Sequence, residues 1–309
     1  MKSFNYRAIQ TARSEDTCEY LFKSGGPYWH LCTPGQSTEI LFTEPKDFIF
    51  CINLIAIIQR ETGVKILTFE VMNNHLHFIL ECPRSVAETF FALLKRRLKR
   101  RFRLEGRFVD LQEFECTLIE IDNLRSLRNE IVYVNRNGYL ANKVHTPFSY
   151  YWGAGRLFFN SAQETGVPFA SLSKNEQESI LRSRTNTIYG ELMIDEEMFC
   201  IESFCDIKKA MSLFRNGNHY FFLLSKNYEA YSGIAQRLGD KIVLSDDEIL
   251  SVICLTTKKE YSVTSPSMLP PKAKLEIARK MRTEYNASEK QLRRILKLDP
   301  GVVKELFGR

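Results

Sequence analysis

Apolar runs of strand length alternate with amphipathic segments along the first half of the chain. The runs that suit buried strands occupy residues 28–33, 64–72, 75–82 and 116–121. Residues 43–60 instead repeat their apolar positions near the 3.6-residue period of a helix, and Gly63 follows as a stop signal. A second helix is predicted from Ser85, with Glu88 three residues on in a capping-box pattern. A third helix follows the fourth strand.

The resulting order is strand, helix, strand, strand, helix, strand and helix. It predicts an α+β fold in which a ferredoxin-like, split βαβ antiparallel sheet carries helices on one face and leaves the other face free. A mostly helical C-terminal region is expected to follow. We therefore predict three domains: residues 1–155 around the sheet, an α-rich region at 156–265 without an assigned function, and a C-terminal segment at 266–309.

The C-terminal segment carries the signals of short helices joined by tight turns. Helices are predicted over residues 272–285 and 288–297. Asn286 breaks the first, Ser288 caps the second, and Pro300 opens a third. Two short helices joined by such a turn resemble a helix-turn-helix, in which Arg293 and Arg294 would contact DNA. The alternative is a helical hairpin with a purely structural role.

Two histidines stand two residues apart in the third predicted strand. Side chains alternate between the faces of a strand, so His75 and His77 point the same way while Leu76 enters the opposite layer. Both imidazoles are then close enough to hold one metal ion. A pair of this kind also arises by chance, so a second element has to support the interpretation.

The second element is the helix that follows the fourth predicted strand. Tyr133 and Asn137 lie four residues apart and share one helix face. Tyr133 could act as a nucleophile, and the amide oxygen of Asn137 could join the two imidazoles as a ligand. Such a set leaves open positions for a phosphate oxygen and water. It would accept Mg²⁺ or Mn²⁺, of which imidazole favours Mn²⁺.

Together these residues resemble the motifs of the HUH single-strand DNA endonucleases. The chain carries Asn-His-Leu-His-Phe at 74–78, Tyr-Val-Asn-Arg-Asn at 133–137 and Tyr-Tyr-Trp at 150–152. Their order is similar to that of the single-tyrosine transposases, particularly the relatives associated with repetitive extragenic palindromes. The resemblance covers roughly the first half of the chain, and Gly138 stands where the family usually has proline.

The resemblance implies an HUH active site on the free face of the sheet, in a transposase-like endonuclease domain over residues 1–155. Its metal would be held by His75, His77 and Asn137. Tyr133 would attack a DNA phosphate and form a 5′-phosphotyrosine with a free 3′-hydroxyl, so that the strand can be cut and rejoined without ATP. The partner would be single-stranded or hairpin DNA, and the chain could form a homodimer.

Charge adds a second candidate surface for DNA. The chain has a formal net charge of +6, and seven of the nine residues at 95–103 are cationic. Like charges this close favour an anionic partner, although most charge runs are solvated helix faces. We predict phosphate contacts from Lys95, Arg96, Arg97, Lys99, Arg100, Arg101 and Arg103. Trp152 could stack on unpaired bases or pack in the core.

Other interpretations stay open at this point. Tyr139 is a second candidate nucleophile, whereas His30 and His145 are expected to be structural or solvated rather than ligands. The chain could also be a DNA-binding regulator that kept the fold without catalysis, or a replication initiator of the HUH class. It has neither an apolar run of ~18 residues nor an apolar signal core at its start. We therefore expect a cytoplasmic protein that does not enter a membrane.

Overall fold

The computed structural model of the chain describes residues 12–35, 39–107, 109, 111–112, 114–140, 146–161, 164–182, 187–226, 228–238, 244, 246–263 and 265–302. Packing divides the chain into two compact units, Met1–Leu224 and Ser225–Arg309. The division into three domains, with boundaries predicted at residues 155 and 265, stays a prediction. Within the described ranges, every helix is too short or too polar to pass through a lipid bilayer.

The first unit begins with the elements that build its main sheet. Their bounds are α1 Glu15–Lys23, β1 Tyr28–Cys32, α2 Pro45–Thr62, β2 Lys65–Val71, β3 Leu76–Glu81, α3 Arg84–Leu104, β4 Thr117–Ile121 and α4 Leu124–Leu140. Gly63 adopts the left-handed conformation that ends α2, as its sequence position predicts. The capping box predicted at Ser85 is wrong. The helix starts at Arg84, and its N-cap residue is Pro83, whose side chain cannot accept a hydrogen bond. Glu88 pairs with Arg84 at 2.8 Å.

The four strands form one antiparallel sheet in the order β2-β3-β1-β4. β3 therefore lies between β1 and β2, the two strands that α2 connects, which is a split βαβ arrangement. In register, Glu70 of β2 and Cys32 of β1 both lie opposite His77 of β3. The predicted α+β class and antiparallel sheet are confirmed.

The two faces of this sheet differ in chemical character. On one face Phe78 packs against Phe90 of α3 with ring centroids 5.3 Å apart, and α2 packs beside α3. Because side chains alternate along β3, His77 points to the other face, which α4 covers. That second interface buries polar side chains from the strands and the helix, namely His30, Thr68, Glu70, His77, Glu130 and Asn135.

Hydrogen bonds hold α4 against this polar face. The side chain of Asn135 accepts a hydrogen bond from the Thr68 hydroxyl and donates one to the Tyr220 hydroxyl at 2.9 Å. Nδ1 of His30 lies 2.7 Å from the carboxylate of Glu130. A buried polar group without a partner costs about 1–3 kcal/mol. These bonds therefore fix where the helix sits on the sheet.

A short segment after α4 covers the outer edge of β2. Residues 152–154 exchange backbone hydrogen bonds of 2.9 Å with Phe69 and Val71, and Gly153 pairs with Glu70 in an antiparallel bridge. The Tyr150 hydroxyl donates to the carbonyl of Val71 at 2.6 Å. An uncovered edge strand is a template for pairing with other chains, so this segment completes the sheet.

Glycines surround the buried carboxyl group of Glu70. A methyl group at Gly138 would lie 2.6 Å from Oε2 of Glu70, and one at Gly155 would lie 2.7 Å from its Oε1. Burial raises the pKa of Glu70 well above its ordinary value, although the N–H of Gly155 and the charge of Arg156 act in the opposite direction. An added methyl group at Gly138 would also overlap the ring of Tyr150, so Gly138 is needed for close packing against both Tyr150 and Glu70.

The rest of the first unit contains a small sheet that the sequence pattern did not predict. Strands β5 Val167–Pro168, β6 Met193–Asp195 and β7 Met198–Phe199 pair antiparallel in that order. The amide of Asn53 on α2 binds this sheet by donating to Glu197 O at 2.7 Å and accepting from Phe199 N–H at 2.8 Å. The helices here are α5 Lys174–Leu181, α6 Ile207–Ser212 and α7 Gly217–Lys226, the last of which runs two residues into the second unit. Turns of 3-10 type lie at Gly155–Leu157, Phe169–Ser171, Thr187–Tyr189 and Ile201–Ser203.

The second unit consists of helices in the part that the structure describes. They are α8 Tyr228–Leu238, α9 Asp246–Tyr261, α10 Pro271–Tyr285 and α11 Glu289–Leu296, with a 3-10 turn at Pro266–Met268. Asn286 ends α10 in the left-handed conformation, and Ser288 with Gln291 forms the predicted capping box. A further helical turn begins at Pro300 as predicted, while residues 303–309 lie outside the described ranges.

Replacing Gly153 by alanine should destabilise the first unit. The added methyl group would overlap the buried carboxyl group of Glu70. Overpacking of this kind costs about 1–3 kcal/mol of unfolding free energy, which urea denaturation can measure. Gly233→Ala on α8 is the control, because no described atom lies within 4 Å of its added methyl group. Equal stability of the Gly153→Ala variant and the wild type would contradict the packing around Glu70.

Candidate functional site

Three aromatic side chains meet at the polar interface between the main sheet and α4. The ring centroids of His75 and His77 lie 5.0 Å apart, with an angle of 87° between the rings. The ring of Tyr133 lies 5.7 Å from that of His77. His77 is buried in β3, whereas His75 precedes the strand by one residue and is half-buried. The structure thus brings together the predicted nucleophile and two of the predicted metal ligands.

A third histidine completes this cluster. Nε2 of His30 on β1 lies 3.1 Å from Nδ1 of His77, and the ring of His30 lies 5.9 Å from that of Tyr133. His30 is fully buried within the site and is not solvated. Its Nδ1 atom lies 2.7 Å from Oε2 of Glu130. The sequence pattern did not single out Glu130, although it lies one turn before Tyr133 and shares its helix face.

The protein environment keeps His75 and His77 uncharged. Loss of hydration lowers the pKa of His75 to about 4, and it lowers the pKa of His77 well below its ordinary value. Repulsion from His75 and His30 acts on the pKa of His77 in the same direction. Both rings are therefore neutral imidazoles at neutral pH, which is the form that binds a metal ion.

Two imidazoles at this spacing fit a shared divalent ion. With metal–nitrogen distances of ~2.1 Å, two rings on one ion have centroids about 5 Å apart. Nδ1 of His77 faces His30, and Nδ1 of His75 lies 2.8 Å from Oδ1 of Asn74, so the Nε2 atoms would be the ligands. Within the described ranges, no three His, Cys, Asp or Glu side chains are grouped to hold a metal ion. Further ligands would have to be other oxygens, such as those of an amide, water or phosphate.

Asn137, the third predicted ligand, lies one turn beyond Tyr133 on the same face of α4. Its side chain is half-buried, and its Nδ2 atom has no hydrogen-bond acceptor in the part of the chain that the structure describes. An oxygen of a bound ligand could supply that acceptor. No hydrogen bond between described residues joins Asn137 to His75 or His77, so its part in a metal site stays a prediction.

The aromatic segment after α4 packs into the protein. Trp152 stacks on Phe48 of α2 with ring centroids 4.8 Å apart and an angle of 17°, so one face of its indole is covered. Tyr151 meets Trp152 edge-on and is 47% exposed, with the guanidinium of Arg156 placed 4.7 Å over one face of its ring. Tyr151 is thus better placed than Trp152 to stack on an unpaired base.

Acids from other segments partly neutralise the basic run of α3. Three of its cations form ion pairs, Lys95 with Glu115, Arg97 with Glu61, and Arg101 with Glu105. The others are exposed and have no ion-pair partner among the described residues, namely Arg96, Lys99, Arg100 and Arg103. We refer to these four as the exposed cations of α3. They are the part of the run that is available to an anion.

The basic run lies on the opposite face of the sheet from Tyr133, because α3 and α4 cover opposite faces. Its C-terminal end nevertheless reaches the end of the sheet where the histidines lie. Arg107, just beyond α3, donates to Leu41 O at 2.6 Å, and Leu41 N–H donates to Asn73 O at 2.8 Å, two residues before His75.

The cations predicted to contact DNA in the second unit differ in environment. Arg294 forms a bidentate ion pair with Asp246, with nitrogen–oxygen distances of 2.6 and 2.9 Å. Arg293 is exposed on α11. His145 and the side chain of Tyr139 lie outside the described residues, as does most of the third C-terminal helix. The predictions on these residues stay predictions.

The chain matches no protein-family model and no curated protein. Among solved structures it is similar to one described as "Structure of the REP associates tyrosine transposase bound to a REP hairpin". The sequence identity is 16%, and the likeness covers 37% of this chain and 67% of that chain with a TM-score of 0.29. A likeness at this level does not establish a shared function.

Proposed function

We propose that this chain is a transposase-like, metal-dependent endonuclease that cuts and rejoins single-stranded or hairpin DNA. One observation carries the proposal. The ring of Tyr133 packs against His77, which stands beside His75 with both imidazoles uncharged. A tyrosine held next to two neutral imidazoles combines a nucleophile with ligands for the ion that phosphodiester chemistry uses.

In this proposal Nε2 of His75, Nε2 of His77 and the amide oxygen of Asn137 hold one Mg²⁺ or Mn²⁺ ion. The ion would stabilise the charge that builds up on the phosphate oxygens in the transition state. The two histidines suit this role because neutral rings bring no positive charge that would repel the ion. The amide nitrogen of Asn137 would donate to an oxygen of the bound DNA phosphate.

Tyr133 attacks the scissile phosphate through its hydroxyl oxygen. The bond from this oxygen to phosphorus forms, the bond from phosphorus to the 3′ oxygen breaks, and the phenol proton ends on the departing 3′ hydroxyl. The product is a 5′-phosphotyrosine, and the reverse step rejoins the strand. Since a phenol has a reference pKa near ~10 and is a weak nucleophile at neutral pH, Tyr133 depends on an activated phosphate.

A DNA-binding regulator without catalysis is the second candidate. One observation favours it: among the described residues, no third His, Cys, Asp or Glu joins His75 and His77 in a metal site. The exposed cations of α3 would bind DNA in either case. Strand cleavage separates the two candidates, because the regulator would bind DNA and leave it intact.

Tyr133→Phe should abolish cleavage and leave folding and DNA binding intact, because it removes one oxygen and keeps the ring against His77. Wild-type protein with labelled hairpin DNA and Mn²⁺ should give a covalent adduct on a denaturing gel, and the variant none.

Tyr28→Phe is the control. It removes a tyrosine hydroxyl that donates to Phe22 O at 3.0 Å, which should cost about 1 kcal/mol of stability and no activity. Wild-type cleavage by Tyr133→Phe would exclude this nucleophile, and no adduct from the wild type would favour the regulator.

Replacing Arg96, Arg100 and Arg103 with glutamine should weaken DNA binding across sequences. Each lost phosphate contact flattens the slope of log affinity against log salt by about 0.7–0.9, or about 2–3 for all three. Arg97→Gln is the control, since Glu61 already neutralises this charge at 2.6 Å. Its slope should stay closer to that of the wild type. If the triple variant keeps the wild-type slope, the run is a solvated helix face.

A further inference from the structure

A chain of buried hydrogen-bonding groups runs from α4 through β1 to β3. Oε2 of Glu130 lies 2.7 Å from Nδ1 of His30, and Nε2 of His30 lies 3.1 Å from Nδ1 of His77. His30 and His77 are 0% exposed and Glu130 is 1% exposed. Bulk water therefore cannot take the place of either partner, and each of the two contacts has to be a hydrogen bond with a defined direction.

When both rings are neutral, the carboxylate at one end sets that direction. A carboxylate only accepts hydrogen bonds, so Nδ1–H of His30 donates to Glu130, and Nε2 of His30 is left to accept from Nδ1–H of His77. A protonated His30 would instead donate from Nε2 to Nδ1 of His77, so the tautomer of His77 distinguishes the two arrangements. With its hydrogen on Nδ1, the neutral ring of His77 has its ligand lone pair on Nε2.

We propose that Glu130 and His30 are positioning residues that hold His77 as the Nδ1–H tautomer, with Nε2 as the nitrogen that binds a metal ion. The identity of that ligand rests on the proposed function, whereas the tautomer does not. Hydrogen-bond partners behind a metal-binding histidine fix its orientation and raise its basicity. Here the carboxylate acts on His77 through a second histidine.

The same contacts tie the nucleophile to the histidines. Glu130 and Tyr133 are three residues apart on α4, so the bond from Glu130 to His30 holds the helix face that presents Tyr133. The ring of Tyr133 packs on both His30 and His77, at 5.9 and 5.7 Å. A change at Glu130 should therefore disturb the metal ligand and the alignment of Tyr133 together.

A purely structural role for these contacts makes a different prediction. Breaking a buried, hydrogen-bonded charge destabilises a protein whatever its neighbours do. If Glu130 and His30 served stability alone, their replacement would lower the unfolding temperature. The tautomer of His77 and the affinity of the site for a metal ion would then stay unchanged in the variants that fold.

The tautomer can be measured in the full-length protein without metal or DNA. The chain has five histidines, so a sample labelled with ¹⁵N-histidine should give a sparse nitrogen–proton correlation spectrum, and His77→Gln would identify the signals of His77. We expect a hydrogen on Nδ1 and none on Nε2 of His77 at pH 7. A hydrogen on Nε2 would overturn the proposal, whether or not the protein cleaves DNA.

Two variants then test the positioning residues. Glu130→Gln keeps the shape of the side chain but can donate, and His30→Asn keeps a partner for Glu130 but no longer reaches His77. Each should shift His77 toward the Nε2–H tautomer and raise the Kd for Mn²⁺, measured by calorimetry without DNA, about 10–100-fold. Tyr28→Phe is the control, because it removes a hydroxyl bond to Phe22 O that involves neither α4 nor His77, and it should change neither readout.

The outcomes separate this proposal from the proposed function. An unchanged tautomer and unchanged Mn²⁺ affinity in both folded variants would overturn it and leave the contacts a structural role. A wild-type protein that keeps His77 as the Nδ1–H tautomer but does not bind Mn²⁺ would support the positioning of His77 by Glu130 and His30. The same result would contradict the endonuclease.

Discussion

The buried polar interface between the main sheet and α4 is the constraint on which the site depends. Apolar contacts have no preferred direction, whereas a buried polar group needs one particular partner and costs about 1–3 kcal/mol when it loses that partner. Glu130 and Asn135 each make such a bond to a strand and so fix the helix at two points. Tyr133 lies between these points and is thereby held against His77.

Local signals in the sequence predict the sheet, the ends of several helices and the shared face of the two motif histidines. Gly63 and Ser288 mark helix boundaries through conformations and bonds that act within a few residues. The position of His30 beside His77 is not a local feature, because this residue reaches His77, 47 positions later, only through the pairing of β1 with β3. A register shift of one residue would turn His30 to the opposite face. Sequence alone therefore singles out Tyr133 as a candidate nucleophile and misses His30 and Glu130, which lie around it.

The fold also decides which cations of the basic run on α3 are exposed. Acids distant in sequence neutralise part of the run, and the exposed cations of α3 lie on the face opposite Tyr133. The endonuclease proposed above would therefore need DNA that reaches from one face of the sheet to the other. Duplex DNA is stiff, with a persistence length of ~150 base pairs, so an unpaired strand suits that proposal better than a duplex.

The central claim is that Tyr133 is the nucleophile of a DNA-cleaving site. The most direct measurement is tandem mass spectrometry of the covalent complex that forms between the wild-type protein and hairpin DNA in the presence of Mn²⁺, after digestion with protease and nuclease. We expect the residual nucleotide on the peptide that contains Tyr133, joined to its side chain through a 5′ phosphate. A nucleotide on Tyr139, or on any residue other than Tyr133, would contradict the claim.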